Sequence, residues 1–218
     1  MISKVFQYAA EHYGAVEDYE YPSLVLISQG VPGFDSQGSI NAVFKPGILE
    51  IAKQLNKLEV SVIGVACNTA HLFYESLAGV SDAPVVNLID NVIEAIVAYP
   101  GHPLLLSSSI TKDTKLYTGK LDKQQVAYIS SPRKVQKLVD QAIHLVMAHK
   151  LDEAGQKIDE IVCQAGPQAF DLIVAACTEL PIAIAYSRAK TDYQIIDSNQ
   201  ILAQALTDYY YQSMGSLT

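Results

Sequence analysis

The chain alternates short apolar runs with longer stretches in which apolar side chains recur every three or four residues. The first pattern is that of a buried strand and the second that of a helix with one buried face. Residues 3–13 read as a helix, and Ser23-Leu24-Val25-Leu26-Ile27-Ser28 reads as a strand. Pro46 starts a helix with Ile48, Ile51, Ala52, Leu55 and Leu58 on one face. Val60 to Ala66 and Val85 to Leu88 read as strands, the latter followed by a helix over about 90–98. Leu104-Leu105-Leu106 is a strand leading into a Ser/Thr-rich loop, and Val126 to Ile129 is another strand. Pro132 opens a long helix whose core stripe is Val135, Leu138, Val139, Ala142, Ile143, Val146 and Met147. A second helix covers roughly 152–164, with Cys163 inside it as an expected core residue. Asp171 to Ala176 and Ile195-Ile196 are strands, and 198–211 is a final helix.

Strand–helix alternation of this kind predicts an α/β fold with parallel sheets flanked by helices. Pro100-Gly101-His102-Pro103 is the clearest hinge. It divides the chain into a lobe of residues 1–100 plus 196–218 and a lobe of residues 101–195. Two segments look alike: Val62-Ile63-Gly64-Val65-Ala66-Cys67-Asn68-Thr69 and Leu172-Ile173-Val174-Ala175-Ala176-Cys177-Thr178-Glu179. Each is an apolar strand ending in Ala-Cys, then small polar residues, then a helix. The match predicts two pseudo-symmetric lobes, the first carrying Cys67 and the second Cys177.

Composition narrows the function classes. Of 218 residues, 50% are apolar and 17% charged, which predicts a packed globular chain rather than a disordered one. A net charge of −8, with no basic run longer than Arg133-Lys134, argues against a nucleic-acid surface. The apolar runs are too short to span a membrane, and Met1 to Gln7 is too polar for a signal peptide. Three widely spaced cysteines do not make a disulfide framework, and a reducing cytoplasm fits them best.

The chemistry rests on the two matched cysteines. Ligands of open parallel sheets bind beyond the carboxyl ends of the strands, where the pattern puts both thiols. A following helix N-terminus favours the thiolate, which acts as a base or nucleophile. Two such thiols on opposite sides of one cleft remove a proton from one face of a carbon and return it on the other. Asn68, Thr69 and Thr178, with their backbone amides, are placed to hold a carboxylate and to stabilise enolate-like charge. Two other readings stay open at this level. Free cysteine is a common core residue, and Cys67, His71, Cys177 and Glu179 are a conceivable tetrahedral metal set.

Ala66-Cys67-Asn68-Thr69-Ala70-His71 and Ala176-Cys177-Thr178-Glu179-Leu180 closely resemble the two signature motifs of the aspartate/glutamate racemase family, and the likeness extends over most of the chain. The resemblance implies two pseudo-symmetric α/β lobes, no cofactor, two cysteines as acid and base, an amino-acid substrate and a homodimer. It carries Cys67 and Cys177 onto the catalytic thiols, and Asn68, Thr69 and Thr178 onto binders of the α-carboxylate. Ser108-Ser109-Ile110-Thr111 resembles a Thr-Thr-Gly-Thr substrate loop, with Ser109 and Thr111 toward the substrate and Ile110 in place of glycine. Gln136-Lys137 resembles a pair whose lysine binds the side-chain carboxylate in aspartate-specific members, and Glu179 sits with the substrate binders.

Two departures stand out. Val31-Pro32-Gly33-Phe34-Asp35 matches an Ile-Pro-Asp-Arg stretch, so Phe34 falls at the position of a carboxylate-clamping arginine. Family members also begin with a strand and a glycine-rich loop, whereas Met1-Ile2-Ser3-Lys4-Val5-Phe6 resembles the helix that follows them. The first lobe then lacks that strand, and a rearranged segment, a second subunit or another protein has to cover its place. The expected function is racemisation of aspartate, glutamate or a broader amino-acid set. The alternatives are another two-cysteine reaction, such as hydantoin racemisation or maleate isomerisation, and a racemase-like protein that binds without turnover.

Overall fold

The computed structural model describes residues 1–33, 40–188 and 192–215. The chain forms two compact units, Met1–Leu88 with Asn199–Thr218, and Ile89–Ser198.

The first unit holds helices α1 (Ile2–Tyr13), α2 (Phe44–Asn56) and α3 (Tyr74–Val80) and nearly all of α10 (Ser198–Gly215). Helix α1 buries Val5 and Ala9, four residues apart on one face. It ends at Gly14, whose φ of 71° is left-handed and lets its N–H return to the Ala10 carbonyl. Phe44, Ile48 and Ala52 of α2 pack with Ala70 and Leu77, and Val65 and Cys67 lie against this cluster. The three strands expected here do not form a ladder. Ile63 and Val85 make a single parallel bridge, with Ile63 N–H donating to Pro84 O and Val86 N–H to Ile63 O, both at 2.9 Å. Residues 23–28 belong to no regular element, and Leu24, Val25 and Leu26 are 42%, 52% and 64% exposed. Strand propensity describes a side chain that fits a half-buried pleated surface, and this segment has no such surface beneath it.

The second unit is the regular one. Its sheet has the order β2-β1-β3-β4, all parallel, from β1 (Pro103–Ser107), β2 (Ile129–Ser130), β3 (Leu172–Ala176) and β4 (Gln194–Asp197). Every residue of β1 and β3 is buried, as their unbroken apolar sequences require. Helices α4 (Leu88–Val97), α5 (Ser109–Asp113), α6 (Thr118–Lys123), α7 (Arg133–Met147), α8 (Leu151–Ala165) and α9 (Leu180–Ala185) complete the unit. Leu104, Leu106, Ile173 and Ala175 meet Val135, Val139, Ala142 and Ile143 of α7 and Ala154, Ile158 and Ile161 of α8 in one core. Gly155 lets α8 approach the chain after α9: a Cβ there would sit 2.2 Å from the Tyr186 carbonyl oxygen. The fold is therefore α/β, with a parallel sheet flanked by helices.

Three sequence expectations need correction. Cys163 is exposed, because the buried face of α8 is Ala154, Gly155, Ile158 and Ile161, and a residue two beyond Ile161 points the opposite way. Met147 (67% exposed) is the last residue of α7 and Leu58 (54%) lies past the end of α2, so each buried stripe stops short of them. The strand expected at Val126–Ile129 begins only at Ile129, because Gln125 turns left-handed (φ 58°) and Val126 N–H bonds back to Leu121 O. Just before β1, His102 N–H donates to Asp171 Oδ1, just before β3, at 2.8 Å. Among the described residues no helix is long and apolar enough to cross a membrane.

Candidate active site

Parallel strands open their carboxyl ends on one edge. In the second unit that edge gathers the turns after β1, β2 and β3. Ser107 pairs with Ala176 in register, so Ser108 and Cys177 are the next residues on neighbouring strands. Cys177 is half-buried, and its thiol donates to Glu179 Oε2 at 3.0 Å. The Thr178 hydroxyl donates to the same oxygen at 2.8 Å. A carboxylate accepting both protons is a natural sink for the thiol proton. Tyr117, 1% exposed, lies near enough to Cys177 to feel its charge. Burial pushes the Tyr117 phenol well above its ordinary range, and the negative charge of Cys177 adds to that.

The loop after β1 is built as a helical turn. Ser108 caps α5 by accepting from Thr111 N–H at 3.3 Å, and its hydroxyl donates to Thr111 Oγ1 at 3.1 Å. Ile110 thus sits in ordinary helical backbone, and the freedom of a glycine is not required there. Asp140 of α7 braces the turn from outside: its Oδ1 accepts from Ser109 N–H at 3.0 Å and its Oδ2 from the Ser109 hydroxyl at 2.5 Å. Gln136, one helical turn before Asp140, donates to Ser107 O at 2.8 Å and to Asp140 Oδ1 at 3.3 Å, and accepts from the Ser131 hydroxyl at 2.6 Å. The Lys112 ammonium donates to the Ser131 carbonyl, and its Nζ lies 3.4 Å from the Ser131 hydroxyl. Lys137 projects from the exposed side of α7.

Cys67 is half-buried in a different frame. Its N–H turns back to Val65 O at 2.8 Å, and its carbonyl accepts from His71 Nδ1 at 2.9 Å. The His71 imidazole is 4% exposed and stacked on Tyr74, with Nε2 3.3 Å from the Leu88 amide nitrogen and 3.4 Å from the Val86 carbonyl oxygen. Both ring nitrogens therefore serve backbone, which removes His71 from the conceivable metal set. Among the described residues no group of three or more His, Cys, Asp or Glu is arranged to hold a metal ion. Asn68 and Thr69, beside Cys67, are 2% and 6% exposed.

The structure thus brings Cys177, Thr178, Glu179, Ser109 and Thr111 to one sheet edge and sets Cys67, Asn68 and Thr69 together in the first unit. The helix starts expected behind the thiols are short: a five-residue 3-10 turn after Asn68 and six residues in α9. Sequence reasoning missed Asp140, Lys112, Ser131 and Tyr117. The signal for the first was present, because Gln136 and Asp140 are spaced i, i+4 as a polar edge beside the apolar stripe of α7. Phe34 and Asp35 lie outside the described residues.

Comparison with known proteins decides the family. The model for Asp/Glu/Hydantoin racemases matches residues 4–206, nearly the whole chain. The chain belongs to the Asp/Glu/Hydantoin racemase family. Within it, the broad specificity amino-acid racemase RacX of Bacillus subtilis is 26% identical over 214 residues, covering 97% of this chain and 93% of RacX. An aspartate racemase from Picrophilus torridus superposes with a TM-score of 0.66 at 28% identity, covering 75% of this chain and 68% of that one. An aspartate racemase homologue from Pyrococcus horikoshii, at 23% identity, shares the fold with a TM-score of 0.72 over 95% of this chain and 90% of its own. The racemase assignment is thus one of family, and the substrate has to be argued from the chain's own residues.

Proposed function

We propose that the protein is a racemase of aspartate, glutamate or a broader amino-acid set, and that it works by two-base proton transfer at Cα. Cys67 and Cys177 are the two bases. The thiolate of one takes the α-proton, the electron pair delocalises into the α-carboxylate, and the thiol of the other delivers a proton to the opposite face. Each turnover leaves the two cysteines with exchanged protonation states, and the reverse reaction resets them. Thr178, next to Cys177 in the chain, and Asn68 and Thr69, next to Cys67, hold the α-carboxylate. The single observation that most supports this reading is the Cys177 thiol donating to Glu179 at 3.0 Å. It gives that sulfur a proton acceptor of its own, which a merely structural cysteine does not need. Glu179 is then better suited to proton handling than to contact with an anionic substrate.

The test is α-proton exchange in D₂O followed by NMR with both enantiomers of aspartate, glutamate and alanine. Deuterium should enter Cα of at least one amino acid and accompany loss of optical rotation. Folded protein that exchanges none of them contradicts the reading, and ligand-induced stabilisation without exchange would make the chain a binding protein instead.

A further inference from the structure

We propose that Lys112 is the cation that receives the side-chain carboxylate of an acidic amino acid bound beside Cys177, an assignment that rests on the racemase reading above. Lysine side chains are usually mobile and hydrated. This one is half-buried, with its ammonium docked on Ser131 at the carboxyl end of β2. Ser131 is 3% exposed and bonds to Gln136. Gln136 in turn bonds to Ser107 O and Asp140, and Asp140 holds Ser109. The ammonium is thereby fixed to the frame that also holds the 108–111 turn, so a ligand meets a pre-ordered charge and little side-chain entropy is lost on binding.

The charge balance points the same way. The Asp140 carboxylate already accepts from the Ser109 amide, the Ser109 hydroxyl and Gln136, so its charge is committed to the turn. Ser131 offers Lys112 only a carbonyl and a hydroxyl, both neutral. Lysine has three donors, and Ser131 occupies two. A half-desolvated ammonium with neutral partners favours an anionic ligand. Lys137 stands on the exposed side of α7, and Lys120 of α6 is already paired with the Asp90 carboxylate.

Distance fits as well. Neighbouring strands lie about 4.8 Å apart, so the ends of β2 and β3, on either side of β1, are roughly 10 Å apart. A substrate whose Cα touches the Cys177 sulfur spans most of that gap with an aspartate or glutamate side chain. An alanine side chain does not.

The experiment compares the wild type with Lys112→Met and Lys112→Arg. It measures exchange kinetics and calorimetric binding for aspartate, glutamate and alanine, with thermal unfolding as a control. Lys112→Met should lower kcat/KM and affinity for the acidic amino acids by about 10- to 100-fold, the worth of a charged hydrogen bond. The loss should appear chiefly in KM, and alanine should change by less than about threefold on the same bookkeeping. Lys112→Arg should restore part of the loss. Equal losses for acidic and neutral substrates, or no loss for the acidic ones, overturn the assignment while leaving the racemase reading intact. If the wild type exchanges no amino acid, the racemase reading falls, and binding alone decides: acid-selective affinity lost in Lys112→Met upholds Lys112, and its absence overturns it.

Discussion

Ala66-Cys67-Asn68-Thr69 and Ala176-Cys177-Thr178-Glu179 are near copies in sequence, yet the two segments are held by different means. Cys177 follows a fully buried strand paired on both sides, and its sulfur has a carboxylate partner at 3.0 Å. Cys67 follows irregular backbone with one bridge, and it is its carbonyl that is anchored, by a buried histidine. The comparison teaches that matched flanks specify where a thiol stands but not what surrounds it. In the proposed two-base reaction, Cys177 would act with Glu179 beside its sulfur, and Cys67 from a backbone whose carbonyl is fixed by His71.

The comparison is broken most forcefully by removing the thiols. Cys67→Ala and Cys177→Ala should each cut racemisation by about a hundred- to ten-thousandfold, the scale of a lost general acid or base. Chiral chromatography of the products checks this, and a variant that racemises at the wild-type rate would free that cysteine from the chemistry. Glu179→Gln is expected to be milder, about 10- to 100-fold in kcat, because one charge-assisted hydrogen bond is lost. Its mark is asymmetry: one enantiomer's turnover falls more than the other's, since only Cys177 loses its acceptor. Equal losses in both directions would reduce Glu179 to a scaffold residue.

His71→Ala probes the other frame. It removes the ring that anchors the Cys67 carbonyl and empties a buried site, a cost of about 1–3 kcal/mol measurable by urea unfolding. A smaller loss would mean that the Cys67 turn holds itself.

The smallest effect lies away from the thiols. Burial, then the hydrogen bond to Asp208, then the charges of Asp208, Tyr8 and Tyr211 push the Tyr13 phenol up to about 12. Its folded value lies above the unfolded one near 10, so its share of stability is full below pH 10 and is lost as pH rises toward 12. Ultraviolet titration of wild type against Tyr13→Phe should show one late-ionising phenol missing from the variant.

Much of the second unit was legible in the sequence because its signals are local. Leu104-Leu105-Leu106 and Leu172 to Ala176 are continuous apolar runs, and α7 and α8 carry clean stripes. Pro181 falls in the first turn of α9, where proline is tolerated. The first unit was read less well. The 23–28 run has strand composition, but a ladder needs a neighbour in register, and that is information from elsewhere in the chain. The polar frame of the site failed to show for the same reason. Asp140 acts on Ser109 across 31 residues and Lys112 on Ser131 across 19, and no short window contains either pair. The tyrosine run Tyr209-Tyr210-Tyr211 gives no local signal of its partners either: Tyr211 stacks on Tyr13 with ring centroids 4.0 Å apart and donates to Glu20 O at 2.6 Å.

The central claim is that Cys67 and Cys177 form one acid–base pair. Deuterium wash-in at Cα, measured separately from the L- and D-enantiomers with each single-cysteine variant, tests it most directly. Complementary behaviour is expected: Cys67→Ala exchanges one enantiomer only, Cys177→Ala exchanges the other, and in both exchange far outpaces inversion. Exchange from both enantiomers in either variant would contradict it.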